Sequence, residues 1–378
     1  MDFFPIIDYI ENTLIKEKKV PGCDVKIMRN HETLLRHSAG VRDYEGTEPI
    51  RRDDIYRLYS CTKPMTCAAA MQLVERGVIG LDDPVHKYLP EFANTFLLKD
   101  GTRVPTQKTM TIRHLFTMSA GLDYNRNTQP IRDVIAANPH AGTVDIVNAL
   151  VRSPLQFEPG EKFLYSMCHD VLAAVVEVAS GKRFSRYMKE NIWDPLRMSD
   201  TGFILPEAKM PRLVALYECD GNPGSYYPFS QPDEFNLTDN YESGGAGLYS
   251  TVDDYSLFAD AMANGGIGAT GKQILKPETI DLMRTEQLGN YTMDSRFGCA
   301  AGPGYGYGLG VRTLIDRSHS KSSIGEFGWD GAAGSYVMID PEYNLSIFFA
   351  MHVLAWPSLI GCGHAPIQDL TYEILGLE

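Results

Sequence analysis

The chain opens with Ile6, Ile7, Ile10 and Leu14 at helical spacing within residues 5–18, and Pro21-Gly22 ends that run. Two short segments follow, Cys23–Met28 and Thr33–His37, separated by the polar Arg29-Asn30-His31-Glu32. Their alternation and the polar turn predict a β-hairpin. A third apolar stretch, Ile55–Tyr59, leads directly into Pro64–Arg76, which is rich in Ala, Met and Leu and closes at Gly77. That pattern predicts a buried helix. Helical periodicity returns in Thr111–Met118, Val144–Val151, Asp170–Ser180 and Asp253–Asn264, and Gly181 supplies a stop for the third of these.

Between these helices lie long polar, Pro-rich and Tyr-rich connections near 121–140 and 219–242. Loops of that length are uncommon in compact domains unless they line a site. After Gly302 the pattern changes to strand length in Tyr307–Leu314, Ser335–Ile339 and Leu345–Val353, and Gln368–Leu375 predicts a final helix. Strands at both ends with helices between them predict an α/β protein of the α+β type, with one sheet built from both termini. The expected division is a discontinuous sheet domain from residues 1–60 and 290–378 and a mostly helical domain from 61–289.

Composition narrows the function classes. The 378 residues are 44% hydrophobic, ordinary for a globular chain, and 35 basic against 48 acidic residues give a net charge of −13. Such a chain has no general attraction to phosphate backbones, so nucleic acid is not expected as a partner. Lys16-Glu17-Lys18-Lys19 is the longest basic run, too short for a polybasic membrane anchor. Seven cysteines without a CxxC or a dense cluster do not form a disulfide scaffold. The start lacks a basic region followed by an apolar one, and the apolar run near Leu345 to Trp356 is too short to span a bilayer. The expectation is a cytoplasmic protein with reduced thiols, acting on a small molecule.

Several chemistries drop out on their motifs. There is no GxSxG and no HExxH. Gly266–Lys272 matches GxGxxG, but it follows a predicted helix where a strand is required, and Gln273 replaces the Ser or Thr of a P-loop. It reads as a glycine-rich helix stop and turn. Glycines on alternate positions of Gly302–Gly310 suit a strand closely approached by other backbone. The histidines form no zinc-spaced pairs, and Cys362-Gly363-His364 alone does not make a metal site, so neither metal nor organic cofactor is expected.

What remains is Ser60-Cys61-Thr62-Lys63. A Ser hydroxyl needs a base within hydrogen-bond reach, and side chains at i and i+3 share one helix face, so Lys63 can reach Ser60. A helix N-terminus adds free backbone N–H groups for a developing negative charge. The motif is weak alone, since Ser318-His319-Ser320-Lys321 matches as well, but Ser318 lies in a polar, unpatterned loop. An N-cap serine with a solvated lysine also fits Ser60 and Lys63.

Tyr56–Phe92, YRLYSCTKPMTCAAAMQLVERGVIGLDDPVHKYLPEF, resembles the serine β-lactamase-related superfamily, which includes class C β-lactamases, D-Ala-D-Ala peptidases and family VIII carboxylesterases. The likeness continues in order through Thr111–Leu122, Glu158–Ser166, Pro195–Met198, Gly244–Asp254 and Phe327–Gly334, and covers nearly the whole chain. It implies a β-lactamase-like fold, an antiparallel sheet flanked by helices beside a largely helical domain, with the active site between them. It also implies Ser60 as acyl-accepting nucleophile, Lys63 as its proton partner and Tyr165 as the second member of the base system. The oxyanion hole would be the backbone N–H groups of Ser60 and Ala332, with Gly331 small enough to let a substrate approach.

Two departures shift the expected substrate. The superfamily's Tyr-x-Asn is here Tyr165-Ser166-Met167, without the amide that orients the lysine and holds a substrate amide. The third motif begins with Trp329 instead of Lys or His, and Asp330 adds negative charge, so a substrate carboxylate is expected to be disfavoured. Tyr-Ser-x with Trp-x-Gly resembles the family VIII esterases, and the expectation is a serine hydrolase cleaving esters through an acyl-Ser60 intermediate. β-Lactamase, D-amino-acid peptidase or amidase, acyltransferase and a catalytically silent binding protein are the alternatives. Tyr124, Tyr226, Tyr227 and Trp329 are the expected pocket residues. Cys61, Cys168 and His169 read as packing.

Overall fold

The computed structural model describes residues 1–222, 224–230, 235–289, 303–357 and 359–377. Its frame is a seven-stranded antiparallel sheet. In spatial order the strands are Glu32–Gly40, Gly22–Arg29, Leu345–Met351, Tyr336–Asp340, Phe327–Asp330, Arg312–Leu314 and Tyr305–Tyr307. The hairpin Gly22–Gly40 thus joins the strands from the other end of the chain through Gly22–Arg29, with Cys23 opposite Met351 and Arg29 opposite Leu345.

Apolar side chains cover both faces of this sheet. Ile347, Phe349 and Met351 pack with Ile6, Ile10 and Tyr372 from the terminal helices. Phe348 and Ala350, one residue out of step, face the large helical core on the other side. The Val252–Ala263 helix lies on that second face, capped by the Thr251 hydroxyl, with the Tyr255 ring stacked 4.2 Å from Phe348. Its Asp260 accepts from the backbone and ring of His31, pinning the hairpin turn, whose Asn30 and His31 both hold positive φ.

At the centre of the helical core runs Thr62–Glu75, buried at every position from Thr62 to Leu73. Its Ala68-Ala69-Ala70 stretch lets neighbours close in from all sides, the Cys168–Ser180 helix among them. Cys168–Ser180 ends at Gly181 in the left-handed conformation, as the sequence pattern predicts. Ile112–Phe116 is shorter than its predicted span and begins with a Thr111–His114 capping box.

Three expectations need correction. Tyr307–Leu314 is not one strand but a tight hairpin, with Tyr307 opposite Arg312. The glycines explain it: Gly310 has φ +85°, and a Cβ there would sit 2.1 Å from the Cys67 sulfur. Gly308 instead meets backbone, with a Cβ position 2.0 Å from the Met283 carbonyl oxygen, while Gly302 lies outside the described residues. The connection 121–140 contains a helix, Gln129–Ala137, hidden from pattern reading because only Ile131 of it is buried. Finally, residues assigned to the helical part also serve the sheet side. Tyr217–Cys219 and Tyr226–Pro228 form a small sheet with Val353–Leu354, and Tyr217 and Cys219 pack in the cluster with the terminal helices. The expected boundary at 289/290 adjoins residues 290–302, which lie outside the described residues.

No helix among the described residues is long and apolar enough to cross a membrane. None of their His, Cys, Asp and Glu side chains gather into a group of three or more suited to a metal ion.

Candidate active site

Tyr59–Cys61 makes a single 3₁₀ turn that runs into the Thr62–Glu75 helix. Tyr59 takes φ +47°, a conformation that costs a residue with a Cβ about 1 kcal/mol or more. Packing holds it there: the buried Tyr59 ring meets Phe235 edge-on at 5.5 Å and clusters with Leu216 and Ala333. The strained turn leaves Ser60 half-buried at the start of the helix.

Around the Ser60 hydroxyl three polar groups converge. Lys63 Nζ lies 3.1 Å from Ser60 Oγ, the Tyr165 hydroxyl donates to Oγ at 2.7 Å, and the Tyr124 phenol also hydrogen-bonds the Ser60 side chain. Lys63 is fully buried, and its Nζ donates to the Gly245 carbonyl at 2.7 Å. It stands 4.5 Å from the centre of the Tyr165 ring and 5.6 Å from that of Tyr124. Burial pulls the amine down to about 7 against the opposing charge of Asp170, so near neutral pH a large fraction carries no proton.

Tyr165 comes from the loop just before the Cys168–Ser180 helix. Its ring stacks on Trp329 at 5.7 Å, and its oxygen accepts from Trp329 Nε1 at 3.2 Å. Burial raises the phenol well above the usual tyrosine range, with the neighbouring Tyr124 adding to the effect. Tyr165 is therefore protonated at neutral pH, and the group able to accept a proton here is Lys63.

On the opposite wall, the strand Phe327–Asp330 turns through Gly331–Gly334 into the next strand. The turn is closed by Gly331 N–H to the Ser335 carbonyl at 2.7 Å and Gly334 N–H to the Gly331 carbonyl at 2.8 Å. Ala332 is exposed at its tip, and none of the described backbone hydrogen bonds uses its amide. Ser60, in the first turn of its helix, likewise presents an amide early in the ladder. Gly331 admits no side chain: a Cβ would sit 2.2 Å from both the Leu58 carbonyl oxygen and Ser335 Oγ.

The two-residue period of the strand separates Trp329 from Asp330. Trp329 faces Tyr165, whereas Asp330 sits opposite Tyr336, which belongs to the other face of the sheet. Asp330 is buried, and burial pushes its carboxyl up to about 6 against the pull of Arg312. The carboxyl itself thus turns away from the Trp329 side into the sheet, although its charge still acts on Lys63 from there.

The pocket aromatics divide. Tyr124 lies beside Ser60, its ring 5.3 Å from that of Tyr165 and 6.3 Å from Phe235. Tyr226 instead donates to the Lys18 carbonyl at 2.9 Å and packs against the terminal-helix cluster, and Tyr227 is exposed. Their strand pairs with Tyr217–Cys219, which aims them at the N-terminal segment and not at Ser60. Phe235 and Arg126 fill the place expected for them: the Arg126 guanidinium stands 4.0 Å from the Phe235 ring and 5.0 Å from that of Tyr124.

Cys61, Cys168 and His169 are all fully buried. Burial pushes both thiols up to about 12 and the imidazole down to about 3, leaving all three uncharged. The Ser166 hydroxyl is buried against Cys168 Sγ at 3.1 Å, and Met167 is buried as well.

Pattern reading overlooks the Gly245 carbonyl and Asp170. A backbone acceptor leaves no mark in a sequence. Asp170 does leave one: a carboxylate opening the otherwise apolar run DVLAAVV, which a helix buried on all sides tolerates only with partners.

Comparison with known proteins shows the family and the fold. The family model described as Beta-lactamase matches residues 7–359. Esterase EstB of Burkholderia gladioli is 30% identical, over 97% of this chain and 94% of its own. The solved structure of EstCE1, described as a hydrolase with promiscuous acyltransferase activity, superposes with a TM-score of 0.79 at 26% identity, covering 97% of this chain and 98% of that one. Simvastatin synthase (LovD) of Aspergillus terreus shares the fold with a TM-score of 0.80 at 21% identity, over 99% of each chain. The chain belongs to the Beta-lactamase family and is an enzyme of the serine hydrolase superfamily.

Proposed function

We propose that this enzyme cleaves neutral carboxylic esters through an acyl-Ser60 intermediate, with Lys63 and Tyr165 moving the protons. The observation that carries the proposal is the placement of Ser60 Oγ 3.1 Å from a buried lysine amine and 2.7 Å from a protonated tyrosine. Neutral Lys63 takes the Ser60 proton as Oγ attacks the ester carbonyl carbon. The carbonyl π electrons move onto oxygen, which the Ser60 and Ala332 amides receive. Collapse of that adduct breaks the bond to the leaving alkoxide. Tyr165 gives the alkoxide its proton and is itself reprotonated from Lys63. Water then attacks the acyl-enzyme along the same path in reverse, releasing the acid and restoring Ser60.

Neutral esters are favoured because the position that carries Lys or His in the carboxylate-binding members of the superfamily is Trp329, packed against Tyr165. The similarity to esterase EstB points the same way. Hydrolysis of p-nitrophenyl butyrate by the wild type and Ser60→Ala, with nitrocefin alongside, tests the proposal. Ester turnover lost in Ser60→Ala, with nitrocefin slow, is the expected result. Turnover that survives Ser60→Ala refutes it. Transfer of the acyl group to an alcohol is a second reading, favoured by the aromatic wall of Tyr124, Tyr165, Trp329 and Phe235 and by the similarity to EstCE1. Butyl butyrate formed when butanol is added distinguishes it from hydrolysis alone.

A further inference from the structure

Asp170 lies in the first turn of the Cys168–Ser180 helix, 3% exposed. Its Oδ1 accepts from the Tyr241 hydroxyl at 2.7 Å, from the Ser243 hydroxyl at 2.6 Å and from the Gly245 N–H at 3.4 Å. The carbonyl of the same Gly245 receives Lys63 Nζ at 2.7 Å. The strip Gly244-Gly245 is threaded between two helices with no room for side chains. A Cβ on Gly244 would be 2.5 Å from the His169 carbonyl oxygen, and one on Gly245 would be 2.6 Å from Asp170 Oδ2. Thr66, on the helix of Lys63, holds the strip from the other side by donating to the Gly244 carbonyl at 2.8 Å.

We propose that Asp170 is a positioning residue for Lys63: it fixes the Gly244-Gly245 strip so that the Gly245 carbonyl aims the amine at Ser60, and its charge sets how readily that amine holds a proton. The role rests on the serine-hydrolase reading given above. It also accounts for the missing Tyr-x-Asn amide, since Met167 stands in that place and the lysine is oriented from the backbone instead. Among the described residues, the charged and titratable groups around Lys63 include the buried and uncharged Cys61, Cys168 and His169. Asp170 comes from the Cys168–Ser180 helix, Cys67 from its own helix, Asp330 from the sheet and Arg126 from the loop after Tyr124, with the phenols of Tyr124 and Tyr165 above it. Asp170 is the foremost of those that favour the protonated amine.

The test is the titration of Lys63 itself, read from the ¹³Cε signal of ¹³C-lysine-labelled protein and assigned by its loss in Lys63→Met. The pH profile of kcat/KM for p-nitrophenyl butyrate is taken beside it. Asp170→Asn removes the charge and is expected to move both the titration and the acidic limb of the profile down by about 1 pH unit, with a fall of about tenfold in kcat. Tyr241→Phe removes the O–H dipole that partly offsets the carboxylate's field at Lys63, so it is expected to move both upward. Opposite displacements from two neighbouring variants do not arise from loosened packing. A Lys63 titration unmoved in folded Asp170→Asn overturns the proposal. If Asp170→Asn does not fold, an unmoved titration in Tyr241→Phe does so. Wild-type protein without ester turnover defeats the hydrolase reading, and the ¹³C titration then still decides whether Asp170 governs Lys63.

Discussion

Ser335 donates its hydroxyl to the carbonyl of Leu58, 2.8 Å away, and so ties the turn that presents the Ala332 amide to the segment that delivers Ser60. The two amides proposed to share one oxyanion come from opposite ends of the chain, and this bond fixes the gap between them. Ser335→Ala is expected to lower kcat for p-nitrophenyl butyrate about tenfold with little change in KM, because it loosens an alignment used mainly in the transition state. Gly331→Ala drives a methyl group against the Leu58 carbonyl oxygen and is expected to cost 100-fold or more, on the order of one lost oxyanion donor. Steady-state kinetics on the two variants check both. Unchanged kcat in Gly331→Ala would remove the turn from the reaction.

The burial of Lys63 fixes the expected sign of a pH dependence. With its amine near 7 in the folded enzyme, kcat/KM is expected to rise with pH through about 7 as the base loses its proton. Stability follows the same group. Between about 7 and the ordinary lysine value of 10.5 the unfolded chain holds a proton that the folded one does not, so the cost of burying the amine shrinks as pH rises through that window. Lys63→Met is therefore expected to abolish turnover while stabilising the fold at pH 7 by about 1 kcal/mol or more, measured by denaturant unfolding.

Tyr165→Phe removes the hydroxyl that meets Ser60 and leaves the ring stacked on Trp329. It is expected to lower kcat by about 10²–10⁴-fold, the usual weight of a proton-transfer group, with the melting temperature nearly unchanged. Trp329→Phe keeps an aromatic face but loses the Nε1 donor to Tyr165 and is expected to cost less, about tenfold. Comparable losses from both would make Trp329 more than a support for the tyrosine.

Cys61 adjoins Ser60 in sequence yet is buried with its thiol raised to about 12, so it supplies no thiolate. Iodoacetamide at pH 7.5 is expected to leave ester turnover intact, and Cys61→Ala to retain it within about threefold. Loss of activity in step with alkylation of Cys61, mapped by peptide mass spectrometry, would contradict this.

The parts of the fold legible in the sequence are those whose signal is local. Val252–Ala263 and Cys168–Ser180 announce themselves by periodicity, and the second also by its Gly stop. Ser60 and Lys63 share a helix face and can be paired from spacing, whereas Tyr165 approaches from a distant loop and needed the family resemblance. The direction of Asp330 follows from strand alternation, but Phe327–Asp330 is only four residues long and all buried, so no period shows. Tyr226 and Tyr227 looked like pocket residues because they lie in a long aromatic connection. Their strand pairing, set by Tyr217–Cys219, points Tyr226 toward Lys18 instead.

The seam between Gly22–Arg29 and Leu345–Met351 also governs how the molecule comes into being. During synthesis Gly22–Arg29 is made long before Leu345–Met351, so the edge it offers to that strand stays unpaired until the later segment has left the ribosome. Neither the complete sheet nor the far wall of the Ser60 site can form before then, so a chain cut ahead of Leu345 is expected to show no ester turnover. Strands so far apart in sequence pair only after a long loop has closed, which makes folding slow and sets a late step on which the whole sheet depends.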